Sequence, residues 1–415
     1  MPIFQNTLKN GTVLITEPIA TVKTVAIGFW FSVGSRYEHE KQRGISHFVE
    51  HMVFKGTQKR TAFDIAVSFD RIGGYLEILC DMTENALFRP EDVEKERSVI
   101  ESEIISSLDD PEEAALDTVI SKIWPHNSIS QSISGTVEDV HKITRDELYQ
   151  WYKNHISSGE LTVFLAGNFD NTQVENRLQS LSPRQIQTKP GVFLGLDTTN
   201  ITSYFSCPVW QSEISFVPAD FQQEQLFYLF PLPIPYTEDE YYGYAILNAL
   251  IGDTMSSRLF QALRENGGYC YNVYSFFTFN SDCGYWCGYS SSAKENLLSV
   301  AKTLQDEITL LLEKGFSKNE VDAAKEHLCG EEIINSEDME QRLKRLSRNY
   351  YFNFPQCSVE ESIEKIRGIS ADMLITCMKK LFDFDQQSLI VYGPKLSRKN
   401  KKQIINNQKC QNLFG

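Results

Sequence analysis

His47 and His51 stand four residues apart, with Glu50 directly before the second, and this limits what residues 44–57 can become. On a helix, positions i and i+4 share a face one turn apart, so the two imidazoles can hold one divalent metal. Glu50, at the edge of that face, can reach a water in the metal's open position. Zinc suits such a set, with nitrogen and carboxylate donors and one position left free. Two histidines do not complete a site, so the fold must return a third ligand, normally a carboxylate, to this helix. The plainer reading of the five residues alone is an amphipathic helix carrying two half-buried histidines.

A source for that carboxylate lies downstream. Pro90 opens a strongly marked helix, Glu91 to about Ser107, with acids in its first turn. Val93, Glu96, Ile100, Glu103 and Ser107 follow helical spacing, and Glu96 and Glu103 sit two turns apart on one face. By position alone these are ordinary solvated acids. It is the neighbouring histidine pair that singles them out.

The remaining chain narrows the class. Its 415 residues exceed one ordinary core, and 41% apolar content can fill two. Forty basic against 55 acidic residues give a formal charge of −15, which argues against a nucleic-acid partner. The nine cysteines include no Cys-x-x-Cys pair, and Cys283 and Cys287 fall on the same face of an expected strand. Free thiols in a reducing compartment are the simpler account. The amino terminus has no basic region followed by an apolar run, and no stretch approaches a membrane span. The expectation is a soluble, cytoplasmic protein with no membrane partner.

In chain order, strands are expected at 12–16, 23–33 and 160–167. Helices are expected at 44–54, at 61–71 (ended by Gly73-Gly74), at 111–123, 144–152 and 171–181. Between them lie a short apolar run over 75–80 and a shortened helix around 77–85. The second half repeats the character of the first. Strands are expected at 213–217, 225–230, 269–279, 283–289 and 388–392, and helices at 238–250, 257–265, 292–313, 317–335, 338–350 and 371–381. Each half gives strands, then helices, then a closing strand. This predicts an α+β chain of two similar domains, 1–190 and 213–415, joined by a linker at 191–212. Each is expected to be a mainly antiparallel sheet with helices on one side. The basic tail 395–402 reads as unstructured surface.

The order His-x-x-Glu-His is the inverted zinc-protease signature, and with it the chain resembles the insulinase-like, or pitrilysin, metallopeptidases. The likeness is strongest to short bacterial members related to the mitochondrial processing peptidase. It runs through Gly34-Ser35-Arg36, residues 44–57, Gly73-Gly74, residues 94–104, Asp110-Pro111, Gly135-Thr136 and residues 256–271. The resemblance implies a zinc peptidase holding one ion per chain through His47, His51 and Glu103, with Glu50 as general base and Glu96 as a supporting carboxylate. It also implies that Arg264 and Tyr271 reach toward the scissile bond from a facing domain. The implied partners are unfolded peptide substrates and, in a homodimer or heterodimer, a related chain.

The chain also departs from the family pattern. His51 and Glu103 are 52 residues apart (103 minus 51), roughly two dozen short of the family spacing. The family's Asn-Ala-x-Thr strand is absent, and Leu76 passes directly to Glu77. In the family that strand docks substrate by main-chain hydrogen bonds. Two readings therefore stay open: an active endopeptidase, or an inactive scaffold or partner subunit of the same fold.

Overall fold

Strands β1 (Phe4–Thr7), β2 (Val13–Pro18), β3 (Val25–Phe31) and β4 (Leu161–Gly167) form one sheet in the order β1-β2-β4-β3. The computed structural model describes residues 2–70, 75–185 and 207–409. Every residue of β4 is buried, because it is an inner strand with both faces covered. β4 runs parallel to β2 and antiparallel to β3. Alternation along the strands divides the side chains cleanly. Leu161, Val163 and Leu165 join Cys80, Val174 and Leu178 on one face, while Phe164 and Ala166 join Leu343, Leu346 and Tyr350 on the other.

The second sheet has five strands: β5 (Ile214–Pro218), β6 (Glu224–Pro231), β7 (Cys270–Phe279), β8 (Gly284–Ser292) and β9 (Ser388–Gly393), in the order β5-β9-β6-β8-β7. Only β5 and β9 pair in parallel. One face carries the large core built from Leu226, Tyr228, Phe230, Trp286, Leu389 and the helices of the second half. The fold is thus α+β with two mainly antiparallel sheets, as the sequence predicts.

Two helices cross the expected division of the chain. The compact units are 1–109, 126–206 and 335–358 on one side, and 110–125, 207–334 and 359–415 on the other. Helix Met339–Tyr351 packs on β3 and β4, where it covers the second face of the first sheet. Its Arg345 meets the buried carboxylate of Glu17 at 2.8 Å, and Arg342 meets it at 2.9 Å. Conversely, helix Pro111–Ile123 runs along β6 and β9 of the second sheet, and its Glu112 accepts a hydrogen bond from Tyr274. The units are therefore not the contiguous spans 1–190 and 213–415. The expected linker 191–212 lies mostly outside the described residues, as does Gly73-Gly74.

Around the first sheet, α1 (Ile45–Val53), α2 (Ala62–Asp70), α3 (Tyr75–Asn85) and α4 (Pro90–Asp109) follow one another. The apolar run at 75–80 belongs to α3, which buries Ile78, Cys80 and Met82. Its Asp81 is buried and binds Arg60, Thr57 (2.7 Å) and Asn85 (2.9 Å), tying α3 to the loop after α1. The tail also differs from expectation. Arg398–Lys409 is a helix, held by Ile404, which is buried against the second core. All eight described cysteines are free thiols. No helix among the described residues is long and apolar enough to cross a membrane.

Candidate metal centre

α1 places the histidine pair. Ile45, Phe48, Val49 and Met52 occupy its buried face, at spacings of three and four, against α4 and helix Arg145–Trp151. Burial of each side chain contributes about 1.5–3 kcal/mol. The opposite side carries His47, Glu50 and His51. The helix begins at Gly44, whose φ of 83° is a left-handed conformation, and a Cβ there would stand 2.5 Å from the Ser134 carbonyl oxygen. Gly135 presses against Arg43 in the same way. Glu38 completes the start. Its carboxylate accepts hydrogen bonds from the N–H groups of Gly44 (2.7 Å) and Ser46 (2.8 Å), supplying the capping acceptor that a glycine lacks. Burial raises the Glu38 pKa despite those bonds.

α4 supplies the carboxylates. Val93, Ile100 and Ile104 bury its apolar side, and Arg97 anchors it to the carbonyls of Val140 and Ile143. With that side fixed, Glu96 and Glu103 both face α1. Glu103 Oε2 lies 3.7 Å from His47 Nε2 and 3.3 Å from His51 Nε2. One donor atom from each of the three residues falls within 4.8 Å of the other two. A tetrahedral zinc with bonds of about 2.0–2.1 Å has ligand–ligand edges of about 3.4 Å, so the spacing and the donor types both fit.

Glu96 stands behind His51. Its Oε2 is 3.1 Å from His51 Nδ1, and its Oε1 meets Lys55 Nζ at 2.7 Å. A carboxylate in that place takes the Nδ1 proton, leaving Nε2 with its lone pair toward Glu103. The His47 Nδ1 is buried and has no hydrogen-bond partner among the described residues. Burial, and then the nearby His51, lower the His47 pKa and favour the neutral, lone-pair form. Glu50 is exposed and lines a cavity of about 680 Å³ together with His47 and β3.

His47, His51, Glu96 and Glu103 thus meet, with Glu50 beside them. Arg264 and Tyr271 lie in the other unit, on the helical turn Phe260–Glu265 and in β7. There the guanidinium stacks over Tyr271 at 5.2 Å, and Tyr271 is 78% exposed. That exposure departs from the core position its strand setting suggests. Sequence reasoning missed Glu38 and Lys55. Lys55 carries a faint signal, as a cation four residues beyond His51, just past the end of α1. Glu38 carries none, because it acts across a loop.

Two family models match the chain. The family model described as insulinase, peptidase family M16, matches residues 13–76 and 61–137. The model described as the peptidase M16 inactive domain matches residues 142–328. A Rickettsia felis protein named as an uncharacterized zinc protease is 31% identical, over 93% of this chain and 96% of its own. The chain belongs to the insulinase family of peptidases. A Streptomyces coelicolor relative, also named a zinc protease, is 27% identical over 94% of this chain and 89% of its own. Among solved structures, a peptidase M16 inactive domain from Pseudomonas fluorescens superposes with a TM-score of 0.83 at 15% identity, covering 96% of this chain and 99% of that one. A protease from Helicobacter pylori gives 0.82 at 17%, covering 95% and 100%. Both share the fold. The two matches to the insulinase model overlap over residues 61–76, on the amino-terminal side of Glu77.

Proposed function

We propose that the chain is a zinc-dependent endopeptidase acting on unfolded polypeptides. The observation that carries this reading is the convergence of His47 Nε2, His51 Nε2 and Glu103 Oε2, with Glu96 holding the back of His51 and Glu50 at the rim of a cavity. His47, His51 and Glu103 would hold one ion. Bound zinc supplies Lewis acidity, polarising a carbonyl and making a water more acidic. Glu50 takes the proton of the attacking water and returns it to the leaving amine. Glu96 fixes the His51 tautomer and orientation. Arg264 and Tyr271 enter through the family pattern: they offer a guanidinium and a phenol to the developing oxyanion, from a partner chain in a homodimer or heterodimer.

The test is cleavage of an unstructured quenched peptide by the wild type and by Glu50→Gln, with metal content measured on both. Cleavage by the wild type, and equal metal with no turnover in the variant, are expected. A variant that cleaves at the native rate would refute the base assignment.

One observation favours the second reading, an inactive scaffold or partner subunit. No strand of the described residues replaces the absent docking strand, and β3 remains a bare edge. A wild type that holds no stoichiometric zinc and leaves every peptide intact would select it.

A further inference from the structure

The chain carries 55 acidic residues against 40 basic ones, yet one part of its surface is basic. Lys395, Arg398, Lys399, Lys401 and Lys402 fall within eight consecutive positions that contain no acid. Four of them stand in the first five residues of helix Arg398–Lys409, which Ile404 anchors to the second core. Lys294 joins them from the segment after β8, where its Nζ donates to the Lys395 carbonyl at 2.6 Å. Lys395 and Lys401 line one recess beside β5 and β9. Lys395, Arg398, Lys399 and Lys402 are exposed, and Lys294 and Lys401 are half-buried.

These charges are not answered from within the described residues. Elsewhere in the second unit Arg258 pairs with Glu320, Lys365 with Glu238 and Lys380 with Glu240. None of the six cations forms an ion pair with a described acid. Glu224, which Lys294 and Lys401 both attract, is fully buried and presents no charge to solvent. Glu295 is a single exposed acid next to Lys294 in the chain. Such crowding is unfavourable in itself. Like charges one helical turn apart, such as Arg398 and Lys402, repel. Cations at a helix start also oppose the positive end of its dipole. An external anionic surface relieves both.

The make-up of the patch narrows the partner. It holds five lysines and one arginine, and no large apolar side chain of these segments is exposed. Protein interfaces are built on an apolar core. Single-stranded nucleic acid stacks on aromatic side chains, and base readout draws on arginine forks. The headgroups of an anionic bilayer require neither, since a cluster of about four to eight Lys or Arg on a helix adsorbs by charge alone. The net charge of −15 does not forbid this. Charges more than about 8 Å away are largely screened in physiological salt, so the residues in contact decide.

We infer that this basic surface docks the protein onto a bilayer bearing anionic phospholipid headgroups. The contact is peripheral and reversible. It requires no spanning helix, and it replaces the expectation of no membrane partner. It is independent of the endopeptidase reading, because an inactive scaffold with this patch would adsorb equally.

The experiment is co-sedimentation of the full chain with vesicles of phosphatidylcholine alone, and with vesicles in which roughly a third is phosphatidylglycerol. Binding at least about tenfold tighter to the anionic vesicles is expected. Each cation removed should weaken it about fivefold, so Lys399→Gln with Lys402→Gln should weaken it about thirtyfold. Both positions are exposed, and glutamine keeps the helix propensity of lysine. The control, Lys142→Gln with Lys344→Gln, removes two exposed lysines from other helices and should change binding less than about twofold. Raising salt from about 0.1 M to about 1 M shortens the screening length from about 10 Å to about 3 Å and should release the wild type. Equal binding to both vesicles, retention at high salt, or equal effects of the two double variants would overturn the proposal. So would a duplex oligonucleotide that displaces the protein from the vesicles at equal phosphate concentration, since the patch would then belong to nucleic acid.

Discussion

Glu96 offers a direct probe of how the histidine pair is set. It touches neither Nε2 atom, yet its Oε2 is 3.1 Å from His51 Nδ1, and its Oε1 is 2.7 Å from Lys55 Nζ. At 8% exposure its carboxylate is shielded from solvent, so the hydrogen bond to the imidazole is not diluted by competing water. Carboxylates placed behind a ligating histidine raise ligand basicity and fix the ring, and their loss typically costs about 10–100-fold in metal affinity. That corresponds to about 1.4–2.7 kcal/mol. Glu96→Gln keeps an acceptor for the Nδ1 proton and loses only the charge, so about tenfold is expected. Glu96→Ala removes both, and the upper end, about 100-fold, is expected. Lys55 is 32% exposed and can turn to solvent once its partner is gone, which keeps the effect on folding small. Zinc affinity is measured by competition with a chromophoric chelator, with the exposed Glu91→Gln on the same helix as control. Wild-type affinity in both Glu96 variants would refute the coupling of this carboxylate to the metal through His51.

Other consequences can be measured without activity. Replacing Glu38 by alanine strips the start of α1 of two charge-assisted hydrogen bonds and is expected to cost about 2–4 kcal/mol by denaturant unfolding; a change below about 0.5 kcal/mol would remove Glu38 from its capping role. Gly44→Ala combines a left-handed backbone with a 2.5 Å clash on the Ser134 carbonyl, and a loss above about 2 kcal/mol is expected. Zinc added to chelated protein at about a hundred times its dissociation constant should stabilise the fold by about 2.7 kcal/mol, and His47→Ala should abolish that gain, read as a shift in Tm. Glu224 gives a pH test. It is fully buried without a hydrogen-bond partner among the described residues, and burial raises its pKa to about 7 although Lys294 and Lys401 pull the other way. The folded state then holds this proton more tightly than the unfolded chain, so stability falls as pH rises from about 4.5 to about 7 and stays low above. Glu224→Gln should therefore gain on the wild type by up to about 3 kcal/mol between pH 4 and pH 8, and a constant difference across that range would sink the explanation.

The helices that carry the site were legible because local signals agreed. In α1 and α4 the apolar period, Pro90 and the acidic first turn all point to helices, and the spacings 47–51 and 96–103 fix which side chains share a face. Periodicity does not say what a buried face packs against. For that reason helices Pro111–Ile123 and Met339–Tyr351 were found as elements but not as crossings between the two halves. β1 escaped notice because Phe4–Thr7 is exposed throughout and carries no alternation. The helix at Arg398–Lys409 escaped because its strongly polar sequence hides one anchoring residue, Ile404. Glu38 was unreadable for a different reason. Its hydrogen bonds span a loop whose course depends on Gly44 lying against Ser134 and Gly135, a contact between segments about 90 residues apart.

The claim on which the rest depends is that His47, His51 and Glu103 share one metal ion. X-ray absorption at the zinc edge tests it on the full chain loaded with one equivalent, compared with Glu103→Gln. A first shell of two imidazole nitrogens with oxygens at about 2.0–2.1 Å, altered and weakened in the variant, is the expected spectrum. Sulfur at about 2.3 Å, or a shell of oxygens unchanged by Glu103→Gln, would place the ion elsewhere and contradict the assignment.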